Sequence, residues 1–290
     1  MKRDILLTGI PRSGTTLCCS LLNRLPDVLA LVEPLDMSTL RAADSDEDRI
    51  RVISSYLAKV RVDVHTKGEA PRQILTGEGT NTFSSQPQGK RSTAIIGSET
   101  VKLASAFSDA FTLVIKHPNL FVALLPAISR QFECFAMVRN PLAILASWNS
   151  LDHPLADGHA PMAEAFDNDL RLRLKEITNS SKRQVSLLDW YFSRFLEVLE
   201  PRRLLRYEDL IATQGRSLAV IVQAAHELPN LVAKGLESRN NNVLYSTPQS
   251  ISGAADLLLG DQTHSCWHLY GRQEVVKLQE ALLAKQHVDG

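Results

Sequence analysis

Gly9 to Thr16 read G-I-P-R-S-G-T-T. This is the length and glycine frame of a phosphate-binding loop, with Thr15 where the ATP-type loop carries lysine. That lysine reaches the β- and γ-phosphates of a nucleoside triphosphate, so its replacement, with Arg12 inside the loop, points to a different phosphorylated donor. Backbone N–H groups of Ser13, Gly14, Thr15 and Thr16 are expected to face an anion at a helix N-terminus. The hydroxyls of Thr15 and Thr16 would add hydrogen bonds, and Arg12 can fork onto anion oxygens. Arg139 leaves an apolar run directly and Ser147 follows eight residues later, so both can face one anion from a strand end and the next helix. Lys116 ends the apolar run Phe111 to Ile115, where a lysine is costly to bury unless an anion meets it. Glu33, in L-V-E-P, is a candidate base that Pro34 should hold extended, and His117 is the rival base because its ordinary pKa suits neutral pH. Tyr207 reads equally well as a nucleotide contact or as core, and Ser246 in Y-S-T-P as a phosphate contact or a turn serine. Trp267 reads as a cover over a cleft or as a structural residue.

Short apolar runs at Ile5–Thr8, Thr112–Ile115, Cys134–Val138 and Leu204–Tyr207 have the character of buried parallel strands. Helical patterns separate them. Leu17, Leu21, Leu22 and Leu25 follow the glycine loop; Ile50, Ile53, Tyr56, Leu57 and Val60 follow a capping-box pair, Ser45 and Asp48. Further helices are expected at Asn119–Arg130, kinked at Pro126, from Pro141 to Trp148, and at Met162–Thr178, Lys182–Leu199, Gln214–Glu227 and Gly271–His287. Residues 65–110, 152–161 and 240–263 read as polar loops, placed to shape a pocket. The expected fold is α/β, a three-layer arrangement like that of the P-loop nucleotide hydrolases, with a mostly parallel central sheet flanked by helices; residues 1–290 form a single domain without internal repeat.

The chain balances 32 basic against 32 acidic residues, which excludes a broad nucleic-acid footprint but leaves room for a few focused cations. No apolar run approaches the roughly 20 residues that span a membrane, and the first strand begins too early for a signal peptide, so the expected compartment is the cytoplasm. Cys18, Cys19, Cys134 and Cys266 show no C-x-x-C pattern and no accompanying ligand cluster, and read as small buried thiols and not as metal ligands.

The loop P-R-S-G-T-T-L, Pro11 to Leu17, resembles the 5′-phosphosulfate loop of sulfotransferases, which use 3′-phosphoadenosine 5′-phosphosulfate (PAPS). V-R-N-P-L-A-I-L-A-S, Val138 to Ser147, resembles the family's 3′-phosphate signature. V-I-K-H-P, Val114 to Pro118, and L-R-Y-E-D-L, Leu205 to Leu210, are similar to two further segments and stand in the family's order. The glycine-rich C-terminal motif of the cytosolic enzymes is absent, with only S-C-W-H and Gly271–Arg272 similar to it, and Lys116 and His117 are adjacent where those enzymes have K-T-H. The spacing from Pro11 to Glu33 resembles the protein-tyrosine branch, in which a glutamate at that place is the base.

The resemblance implies an enzyme that takes PAPS as co-substrate, needs no metal, and transfers a sulfuryl group to a hydroxyl or amine of a small-molecule or glycan acceptor. It implies a phosphate cradle at Arg12 to Thr16, a 3′-phosphate contact at Arg139 and Ser147, Glu33 as base and Lys116 on the leaving phosphate. No nucleic-acid or membrane partner is expected, and nothing in the residues specifies an oligomeric state. Two other readings stay open: an ATP-dependent small-molecule kinase on the same fold, and a nucleotide-binding protein without turnover.

Overall fold

The computed structural model describes residues 2–75, 83, 90–232, 234–242 and 247–286. At its centre lies an all-parallel five-stranded sheet in the order β2-β5-β1-β6-β7. Its strands are β1 (Arg3–Gly9), β2 (Val28–Val32), β5 (Thr112–Lys116), β6 (Glu133–Val138) and β7 (Leu204–Arg206). Strands β3 (Glu69–Leu75) and β4 (Ile95–Lys102) pair antiparallel as a separate ribbon. Helix α1 (Thr15–Leu22) links β1 to β2; α2 (Met37–Ala42) and α3 (Asp46–Lys67) precede the ribbon. Helices α4 (Pro118–Ala123) and α5 (Leu125–Ile128) link β5 to β6. Then follow α6 (Pro141–Asn149), α7 (Pro161–Glu164), α8 (Asn168–Glu176), α9 (Ser180–Val198), α10 (Tyr207–Ala212), α11 (Leu228–Leu231), α12 (Pro248–Leu259) and α13 (Arg272–Gln286).

Period-2 alternation divides each strand between two cores, which is why the strands read as unbroken apolar runs. Ile5 and Leu7 of β1 pack with α1 and α10, while Leu6 packs with α3 to α6 and α9. Helices therefore cover both faces. Helix α1 leaves β1 for one face and α4 leaves the adjacent β5 for the other, so the carboxyl ends of these strands border the kind of crevice in which open α/β sheets bind ligands.

The capping pair begins α3 as expected: Ser45 Oγ accepts from Asp48 N at 3.1 Å, and Ile50, Ile53, Leu57 and Val60 are buried. Other expectations are corrected. Val28–Val32 is a fifth parallel strand, too short for its apolar run to be told from a helix extension. Residues 65–110 contain the β3–β4 ribbon, and residues 240–263 contain α12. In α12, Thr247 caps the Ser250 N–H and Ile251, Ala254, Ala255 and Leu258 enter the core. The expected helix at 119–130 is two short helices broken at Leu124, with Pro126 at the start of the second. The one at 162–178 is also split, because the Asp167 carboxylate accepts from Leu170 N and starts α8 afresh. Gln214–Glu227 is not an α-helix: Gly215, at φ +93°, opens two 3₁₀ turns at 216–220 and 223–227.

Candidate active site

Three chain segments leave the carboxyl edge of the sheet side by side, after β1, β5 and β6. The glycine loop after β1 is fastened to its neighbours. Ile10 N donates to Met137 O at 3.0 Å, Trp148 Nε1 to Pro11 O at 3.0 Å and Arg139 Nη1 to Arg12 O at 2.9 Å. Gly14, at φ +98°, caps α1; a Cβ there would lie 2.8 Å from the Tyr207 ring, so conformation and space both require glycine. Arg12 holds a left-handed backbone at φ +78°, a strained state for a long side chain and one that concentrates at functional turns.

The expectation that every N–H from Ser13 to Thr16 faces an anion is corrected at Ser13, whose N–H closes a turn on Ile10 O at 2.9 Å. Gly14, Thr15 and Thr16 head the helix as expected. Ser13 itself is fully buried, and its hydroxyl has no hydrogen-bond partner among the described residues.

Arg139 is 4% exposed, lies over the Tyr207 ring and donates through Nε to Asn240 Oδ1 at 2.7 Å and through Nη2 to Arg239 O at 2.5 Å. Tyr207 is both core and site: its ring is buried, and its hydroxyl accepts from Arg239 N at 2.9 Å. Ser147 does not meet Arg139 directly. Its buried hydroxyl accepts from Arg12 Nε and from Arg91 Nη2, each at 3.3 Å, so Arg12 is in contact with both Ser147 and Arg139.

The ends of β2 and β5 hold a different arrangement. Lys116 is buried at the end of β5, level with Leu7 of β1 and Val32 of β2, and its Nζ lies 2.6 Å from Glu33 Oε1. Glu33 is not extended. It lies at φ +49°, while its N–H donates to Lys116 O at 2.8 Å. That bond carries the β2–β5 ladder one residue beyond the strand, and the positive φ turns the chain off the sheet before Pro34 while the carboxylate stays on Lys116. Burial works to raise the Glu33 carboxyl, but the Lys116 ammonium, His117, the hydrogen bond from Lys116 and His153 outweigh it and hold it below its ordinary value. His117 is buried edge-on to Phe121, and its Nε2 has no hydrogen-bond partner among the described residues. Burial lowers its pKa to about 4, with Glu33 opposing and Lys116 assisting, so it is neutral at physiological pH.

Four further residues complete this edge: Phe83, His153, Arg91 and Glu208. Phe83 lies 4.8 Å beneath the Arg12 guanidinium, and the His153 ring meets its edge. Arg91, buried, clips its segment to the end of α6 through Ser147 O and the Ser150 hydroxyl. Glu208 accepts from Asn140 N and Asn240 Nδ2 through one oxygen and from the Tyr270 hydroxyl through the other, each at 2.9 Å. It thereby orients the Asn240 amide, whose oxygen faces Arg139. Acidic Glu208 was legible as a residue, but its partners come from 68 residues before it and 62 after it, which no local pattern reports.

Ser246 lies outside the described residues. The Trp267 indole N–H donates to Asp261 O, and Arg272 covers its ring. The four cysteines are buried free thiols. Among the described residues no group of His, Cys, Asp and Glu is arranged to hold a metal, and no helix is long and apolar enough to cross a membrane. No protein-family model matches the chain, and no curated protein does.

Proposed function

We propose that the protein is a PAPS-dependent sulfotransferase. The observation that carries this reading is the meeting, on one sheet edge, of a lysine-free glycine loop tied to Arg139 and, beside it, a buried lysine paired with a half-buried glutamate. The loop and Arg139 suit a doubly phosphorylated nucleotide, and the pair supplies what transfer requires, a base and a cation for the leaving group. Orphaned buried polar atoms at Ser13 and His117 are the kind of unsatisfied groups that mark ligand or catalytic sites.

The chemistry follows from these side chains. The amides of Gly14, Thr15 and Thr16, with the two threonine hydroxyls, hold the 5′-phosphosulfate, and Arg12 sits against its oxygens. Arg139 serves the 3′-phosphate side. When the donor arrives, the Lys116 ammonium turns from Glu33 to the phosphate. Losing that cation raises the proton affinity of Glu33, which then accepts the proton of the acceptor hydroxyl or amine. The freed lone pair attacks sulfur in line, the bond from sulfur to the bridging phosphate oxygen breaks, and Lys116 meets the charge on that oxygen. The products are the sulfated acceptor and adenosine 3′,5′-bisphosphate. His117, neutral and only 4% exposed, is a weaker candidate for the base than Glu33.

The kinase reading differs in the donor. A ligand that binds the folded state raises the melting temperature, so PAPS or adenosine 3′,5′-bisphosphate should raise it and ATP with Mg²⁺ should not. A shift with ATP and Mg²⁺ alone would transfer the assignment to the kinase. Labelled PAPS with a cell extract, followed by mass spectrometry, should reveal a sulfated product; binding of the nucleotide without any product would indicate a nucleotide-binding protein.

A further inference from the structure

A cavity of about 730 Å³ separates the outer edge of β2 and helix α1 from the β3–β4 ribbon. That volume lies within the range of small-molecule sites. Its polar features are specific. Thr16, the second threonine of the glycine loop, lines it together with Ser20 one turn further along α1. The Asn23 side chain also lines it and pairs with the open edge of β2, donating to Ala30 O at 2.8 Å and accepting from Ala30 N at 2.7 Å. By strand alternation the main-chain groups of Val28 and Val32 face the same open edge. The remaining walls are mostly apolar, with Leu29 and Leu31 on one side and Val101, Leu103 and Phe107 on the other. The charged side chains in the lining are Arg72 and Glu99, and these neutralise each other across the ribbon at 2.7 Å.

Position connects the cavity to the reacting groups. Val32 lines it, precedes Glu33 and lies level with Lys116 across the ladder. Thr16 gives it a wall in common with the donor loop. We infer that this cavity is the acceptor site and that it takes an uncharged, hydroxylated small molecule with a largely apolar body. Among the described residues of this lining, an acidic glycan or an acidic peptide would find no cation besides Arg72, which Glu99 already meets. The assignment of the occupant as acceptor rests on the sulfotransferase reading; the existence and chemistry of the binding site do not.

Pyrenemethanol, an apolar ring system with one hydroxyl, and pyrenesulfonate, its anionic counterpart, test the inference by their fluorescence. Pyrenemethanol should bind the full chain saturably and at least tenfold more tightly than pyrenesulfonate. Val101→Trp, which fills the cavity from the ribbon, should weaken it at least tenfold while adenosine 3′,5′-bisphosphate binds as before. If Val101→Trp lowers the melting temperature sharply, Ala104→Trp on the exposed rim takes its place. Equal or tighter binding of pyrenesulfonate, preference for an acidic tyrosine peptide, or an affinity unmoved by the filling variant would each overturn the inference. Binding of pyrenemethanol with no binding of adenosine 3′,5′-bisphosphate would instead reject the donor reading and leave the cavity as a site.

Discussion

The two corners of the carboxyl edge handle buried positive charge in opposite ways. At the β6 corner, Arg139 is met by neutral oxygens, those of Arg12, Arg239 and Asn240, and the nearby carboxylate of Glu208 acts through the Asn240 amide. These bonds hold its guanidinium in place. At the β5 corner, Lys116 is met directly by the carboxylate of Glu33. That charge is already matched, and a ligand can use it only by displacing the glutamate. The first corner is built to position and the second to exchange, which fits a nucleotide end that stays bound and a group that departs.

The largest effect should come from breaking the exchange. Glu33→Gln should keep nucleotide binding and lower turnover by about 10² to 10⁴-fold, the usual contribution of a positioned base. Normal turnover in a steady-state assay would move the base to His117. Next comes the positioning corner. Arg139→Ala should weaken adenosine 3′,5′-bisphosphate by 2 to 3 kcal/mol or about 30 to 150-fold, the scale of a charge-assisted hydrogen bond, and leave an analogue without the 3′-phosphate nearly unchanged. Equal losses in calorimetry would reject that contact. Glu208→Gln tests the support behind Arg139. It should cost about tenfold in the same titration with turnover at saturation retained, because it loosens Asn240 without removing the guanidinium. A fall in saturated turnover with no change in affinity would contradict the relay.

The last effect is on stability and not on turnover, and concerns His117. Its folded pKa is about 4, below its unfolded value. Between pH 6.5 and 4 the unfolded chain therefore binds the proton and the folded chain does not, so stability is complete above pH 6.5 and declines as pH falls through this window. The decline should total on the order of 3 kcal/mol or less, with His153, also lowered by burial, adding in the same direction. His117→Asn should flatten the profile in urea melts above pH 4.5, before Glu33 takes its proton. An unchanged slope would mean that His117 is not the group being charged.

Local chemistry made much of this edge readable. The glycine frame, the apolar runs before Lys116 and Arg139, and the Ser45 cap each depend on neighbours within a few residues, and the structure forms a loop, strand ends and a helix there. Long-range geometry was not readable. Nothing near Glu33 announces a left-handed backbone; the partner that meets both its N–H and its carboxylate, Lys116, lies 83 residues away. Pro34 alone argued the other way. Phe83 and Arg91 reach the site from a segment whose composition suggested a loop, and their partners, Arg12 and Ser147, lie elsewhere in the chain. Helix α12 is a different case: its Thr247 cap and its 251, 254, 255, 258 spacing were present and were hidden by the polar residues around them.

The central claim is that this edge holds a nucleotide by both of its phosphate ends. Isothermal titration of the full chain with adenosine 3′,5′-bisphosphate and with adenosine 5′-monophosphate, without metal, measures it directly. The account predicts saturable binding of the bisphosphate at least tenfold tighter than that of the monophosphate. Equal affinity for the two, or binding of neither, would contradict it.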